Sequence, residues 1–170
     1  MAGKANFSPE EWARVVASPM VVGVAITAAD PSGLWGLLKE AMASGRSLLE
    51  AKQSAAANPL AKAVAEDIGT PETRDAARER MQMQFRNSQL ADVREKALEE
   101  LKGVAALVET KAPEDAAGFK AWLQDVARNA AEAGTEGGFL GFGGVAVSDA
   151  ERAMLVEIEA ALRTGGSRQV

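Results

Sequence analysis

Cysteine, histidine and tyrosine are absent from the sequence. The first absence excludes disulfides, thiolate catalysis and zinc–sulfur sites. The second removes the commonest general base and the commonest transition-metal ligand. A carboxylate di-iron bundle goes with it, because that site needs Glu-x-x-His pairs. Carboxylates, lysines, serines and threonines remain, and nothing in their spacing positions an oxyanion hole. The expectation is a non-enzymatic protein with no cofactor.

Long apolar runs and basic clusters are also scarce. The most apolar window, "VVASPMVVGVAITAA" at residues 15–29, is shorter than the ~20 residues of a membrane span and reads as a buried helix. Lys and Arg number 19 against 24 Asp and Glu, for a net charge of −5. A duplex-binding surface needs clustered basic residues, so nucleic acid is not the expected partner. The start, "MAGKANFSPEEW", carries no apolar run behind its lysine and does not read as a secretory signal. A soluble, cytoplasmic protein is expected.

What is present is a globular balance, 47% apolar and 25% charged residues. A chain of 170 residues can bury one real core without staples. Helix signals dominate. Ser8, Pro9 and Glu11 form a start signature, with Ser8 as cap and Glu11 closing a capping box. The helix behind them is apolar or small on every side from Pro19 to Ala29, which marks a central element. Pro19 itself should kink that helix or divide it. A further helix is expected over Leu34, Leu37, Leu38, Ala41, Met42, Leu48 and Leu49. Asn58–Pro59 and Thr70–Pro71 are cap-and-first-turn pairs for two more. Residues 71–87 are the most polar helical stretch, and Met81, Met83 and Phe85, two apart, predict partial exposure or a bend.

Leu90, Val93, Ala97, Leu101, Val104 and Val108 keep helical spacing and predict one amphipathic helix. Pro113 opens another, with Phe119, Trp122, Leu123, Val126 and Ala130 as its buried stripe. Ser148 and Glu151 repeat the capping box, and Leu155, Ile158 and Leu162 carry the last helix inward. The fold class is therefore all-α, a single-domain bundle of about six or seven helices with a Gly-rich loop before the last one. Short connections imply that sequence neighbours pack antiparallel. Residues 1–6 read as a disordered N-terminus, 7–163 as the helical domain and 164–170 as a flexible tail.

The Gly-rich stretch "AEAGTEGGFLGFGGVAVSDAERAML" spans residues 131–155. Gly141, Gly143 and Ala146 match the dinucleotide pattern, but that motif needs a preceding strand and an amphipathic helix stands there instead. No Gly-Lys-Ser/Thr follows, so it is no P-loop. Two readings stay open. Gly137, Gly138, Gly141, Gly143 and Gly144 let Phe139, Leu140 and Phe142 plug the bundle in a compact loop, or those apolar side chains form a partner-binding lip. The segment from Asp30 to Gly36, which includes Trp35, follows a similar order, as if two like loops were placed together.

The stretches "VGVAITAADPSG" and "VSDAERAMLVEIEAAL" resemble the TerB-like helical bundles associated with bacterial tellurite resistance and stress response. The resemblance implies an all-α fold and binding of a small ligand or divalent cation through acidic clusters. The turns here hold isolated acids and not runs of Asp, so no metal ligand is carried over. Asp30, Glu40, Glu136 and Asp149 are the acids nearest the two loops; they read as solvated caps, with an oxygen-only calcium or magnesium site as the other reading. The leading expectation is action through protein–protein interaction, with another protein or a second copy in a homo-oligomer. The TerB-like ligand or cation binder is the alternative.

Overall fold

A computed structural model describes residues 2–29, 58–133 and 147–163. Six α-helices lie among them: α1 (Pro9–Ala29), α2 (Pro59–Asp67), α3 (Pro71–Phe85), α4 (Leu90–Lys111), α5 (Pro113–Ala133) and α6 (Asp149–Arg163). No strand occurs among the described residues. The chain is an all-α bundle.

The helix starts follow from the side chains at their caps. Ser8 and Glu11 exchange bonds: the Ser8 N–H donates to Glu11 Oε2 at 2.7 Å and the Glu11 N–H to Ser8 Oγ at 3.2 Å. Ser148 and Glu151 repeat this, at 2.8 and 3.2 Å. Each box satisfies N–H groups that a helix start leaves without partners. Asn58 Oδ1 accepts the Ala61 N–H at 2.9 Å, and its amide also donates to the Asp115 carbonyl at 3.0 Å. That second bond ties α2 to α5. It requires Gly118, where a Cβ would stand 2.5 Å from Asn58 Nδ2.

α1 is the axis of the bundle and packs against each of the other five α-helices, most extensively α4. Of the two outcomes expected at Pro19, a kink or a division, the division does not occur, and α1 runs unbroken through it. A proline at 19 lacks the N–H that would bond the Val15 carbonyl. The Ser18 hydroxyl donates to that same carbonyl at 2.6 Å, so the buried acceptor stays satisfied. Val15, Val16, Val21, Val22, Ala25 and Ile26 are all buried. The helix is long and apolar enough, by length and composition, to cross a membrane, but 67% of its apolar window is buried inside the bundle. Here it serves as a core helix.

Around this axis the core is filled by Leu60 and Val64 of α2, Leu101, Val104 and Val108 of α4, Phe119 and Leu123 of α5, and Met154, Ile158 and Leu162 of α6. Burying each large side chain is worth about 1.5–3 kcal/mol. Leu155, expected inward, is only half-buried, and Met154 takes the inward position. Val126 and Ala130 are likewise partly buried, beside Ala127 and Ala131 in the core.

Packing does not simply follow chain order. α4 packs on α5, yet α2 packs on α5 and α1 rather than on α3, and α3 packs chiefly on α1. The reason is that α1 offers apolar surface in every direction, whereas α2 and α3 are amphipathic or polar and have little to offer each other. Before α1, residues 2–6 make contacts with the bundle. Lys4–Asn6 form a 3-10 turn, the Ala2 N–H donates to Asp115 Oδ2 at 2.6 Å, and Phe7 is buried against Trp12, with ring centroids 5.7 Å apart. Asp67 accepts from Trp12 Nε1 at 2.5 Å and pairs with Lys4 at 3.3 Å.

Candidate functional site

The residues singled out in the Gly-rich segment, Gly137, Gly138, Phe139, Leu140, Gly141, Phe142, Gly143 and Gly144, lie outside the described residues, as does Trp35. Of the four acids considered for a cation, Asp30, Glu40 and Glu136 also lie outside them. Asp149 is exposed and pairs with Arg152 at 2.8 Å, across one turn of α6. Among the described residues no three acidic side chains come together to hold a metal ion.

The Met81–Phe85 stretch is described, and it borders a groove. α3 and α4 are joined by a tight turn in which Asn87 takes a left-handed conformation, φ 58°. Asparagine tolerates that region better than most residues. The Ser88 N–H returns to the Phe85 carbonyl at 3.2 Å, and the Gln89 N–H donates to Asp92 Oδ2 at 3.4 Å to start α4. Although neighbours, α3 and α4 pack little against each other. Between them lies a cavity of about 610 Å³. Val24, Thr27 and Ala28 of α1 form its floor, Met81, Gln82 and Phe85 one wall, and Leu90 and Val93 the other, with Ser88 closing the end.

The spacing by two at Met81, Met83 and Phe85 produces the partial exposure expected of it. Met81 is buried on α1, Phe85 is half-buried at the groove wall, and Met83 is 71% exposed. Leu90 departs from the sequence reading. It was expected in the buried stripe of α4, yet it is 53% exposed, because the first turn of α4 extends along the groove instead of meeting α3. The buried stripe begins at Ala97.

Further along, a charged cluster joins the same three helices. Glu100 on α4 is buried and takes Arg14 of α1 in a two-pronged pair, Nε–Oε1 2.8 Å and Nη2–Oε2 2.9 Å. Arg80 of α3 reaches the same Oε1 at 3.4 Å. Its Nε is buried with no hydrogen-bond partner. Gly103 makes this possible: a Cβ there would fall 2.0 Å from Arg14 Nη2. Sequence reasoning missed the cluster, since Arg14 and Glu100 are 86 positions apart. A glycine inside an amphipathic helix was the available signal, because it costs stability unless something must approach closely.

The electrostatics of the opposite end are simpler. Lys111 of α4 pairs with Glu11 Oε1 at 3.3 Å. The Ser8 backbone N–H, and then this lysine, hold the Glu11 carboxyl below its ordinary pKa of 4.5.

Compared with known proteins, the chain matches no family model, no curated protein and no solved structure.

Proposed function

We propose that the protein is a non-enzymatic helical bundle that works by protein–protein contact, with a second copy of itself or another protein, at the groove between α3 and α4. The groove is the observation that carries this reading. Its floor and both walls are largely apolar, and Leu90 on its rim is 53% exposed. Single exposed apolar residues need no explanation, but an apolar groove with an exposed leucine at its rim is the form taken by sites that accept side chains from a partner. The missing residue types agree with it. With no histidine, cysteine or tyrosine, the described acids serve chiefly in caps and ion pairs.

Two measurements on one pair of proteins test the reading. The mass in solution is followed by light scattering, and binding of a hydrophobic dye is followed by fluorescence, for wild type and Leu90→Glu. Position 90 is exposed in the first turn of α4, so the substitution leaves the core intact. Self-association is expected to show as a mass rising above the 17.8 kDa monomer and falling back in Leu90→Glu. A monomer whose dye binding is lost in Leu90→Glu supports a heterologous partner. A strict monomer that binds no dye overturns the proposal.

A further inference from the structure

We infer that α3 is a hinged flap, latched by Arg80 onto Glu100, which lifts from α1 as a unit while the rest of the bundle stays folded. Only Ala77 and Met81 of its 15 residues are buried. Among the described residues it packs chiefly on α1 and little on its chain neighbours α2 and α4. Both ends are built to turn: Gly69 and the Thr70–Pro71 start on one side, and the left-handed Asn87 on the other. Few buried apolar side chains and sparse packing are what give a segment a low opening free energy relative to the whole fold.

The latch is equally one-sided. Glu100 is already held by both prongs of Arg14, so releasing Arg80 costs it only the longer 3.4 Å contact. Arg80 in turn frees an Nε that has no acceptor while α3 is docked. Lifting the helix removes Met81 and Phe85 from the groove and uncovers Val24, Thr27 and Ala28. The groove thus widens on the side of α3, with α4 and α1 fixed.

The absence of cysteine makes the test clean. Ala77→Cys on α3 and Ala105→Cys on α4 each bury one thiol, and their labelling by a thiol reagent is timed under native conditions. Each rate is referred to that variant's own global stability from urea unfolding. The Ala77→Cys thiol is expected to react at least tenfold faster than its global unfolding permits, and the Ala105→Cys thiol at the global rate. Adding Arg80→Gln is expected to speed the first by about two- to fivefold, the range of a partly exposed ion pair, and to leave the second unchanged once its stability is accounted for. Labelling of Ala77→Cys only at the global rate overturns the flap. An equal response of both thiols to Arg80→Gln overturns the latch. Neither outcome depends on a partner, so failure here is distinct from failure of the binding proposal.

Discussion

α1 and α3 lie against each other and are held in opposite ways. α1 buries 11 of its 21 residues and touches every other described α-helix. α3 buries two of 15. The first is fixed from all sides by apolar contact, and the second by one narrow face and an ion pair. Chain order does not explain the difference, since both helices begin with a capped proline turn. Composition does. Between Val15 and Ala29 there is no charge, whereas "PETRDAARERMQMQF" carries three basic and three acidic residues. Apolar core and charged surface are thus divided between the two helices.

The contrast is broken most directly by trimming one side chain from each. Ile26 of α1 is 2% exposed and Met83 of α3 is 71% exposed. Ile26→Ala is expected to destabilise by about 2–5 kcal/mol, the lost transfer energy plus the cavity. Met83→Ala should stay within ~0.5 kcal/mol of wild type. Urea unfolding measures both. Similar losses would mean that α3 is held as firmly as α1 and that Met83 is covered.

Much of this division could be read from the sequence, and where it could not the reason is physical. Periodicity gave α4 and α5 because an amphipathic helix must repeat its apolar positions to reach a core. The Ser8–Glu11, Asn58, Thr70 and Ser148–Glu151 starts were legible because caps are local chemistry. That Pro19 would leave α1 undivided was not legible, because the repair lies in a neighbour, Ser18, whose hydroxyl takes over the Val15 carbonyl. Leu90 misled because periodicity cannot say where a partner helix ends. The groove was half legible, through Met81 and Phe85; its floor at Val24, Thr27 and Ala28 was read only as core. The members of the Arg14–Glu100–Arg80 cluster could not be paired from sequence, since they come from three helices with no common spacing, and only Gly103 signalled a close approach.

Gly103 sharpens the comparison by testing whether the charged link between α1 and α4 has a required geometry. Replacing glycine by alanine inside a helix ordinarily gains roughly 0.5–1 kcal/mol. Here the new methyl would stand 2.0 Å from Arg14 Nη2 and 2.7 Å from Cζ. The guanidinium must leave its two-pronged seat, and the buried Glu100 is left with the longer Arg80 contact. Losing partners from a buried carboxylate costs about 1–3 kcal/mol, so Gly103→Ala should destabilise by about 1 kcal/mol net. In an Arg14→Ala background the space is empty and the sign reverses, with Gly103→Ala stabilising by roughly 0.5–1 kcal/mol. The same sign in both backgrounds would show that Arg14 does not require the gap.

The smallest effect concerns what fixes the start of α1 while α3 relies on Thr70 alone. Glu11 is held below its ordinary pKa of 4.5 first by the Ser8 backbone N–H and then by Lys111. A carboxyl whose pKa is lower folded than unfolded contributes stability that is fully present above the unfolded value. That contribution is lost as pH falls through the folded one. Wild type should therefore exceed Glu11→Gln in urea midpoint at neutral pH. The gap should close as pH is taken well below 4.5, where both side chains are uncharged. Added salt should narrow the neutral-pH gap only in part, because salt screens the Lys111 pair and not the bond from Ser8. A gap that persists unchanged into acid would assign the stabilisation to the shape of the side chain, and the charge on Glu11 would then have no part in holding the helix start.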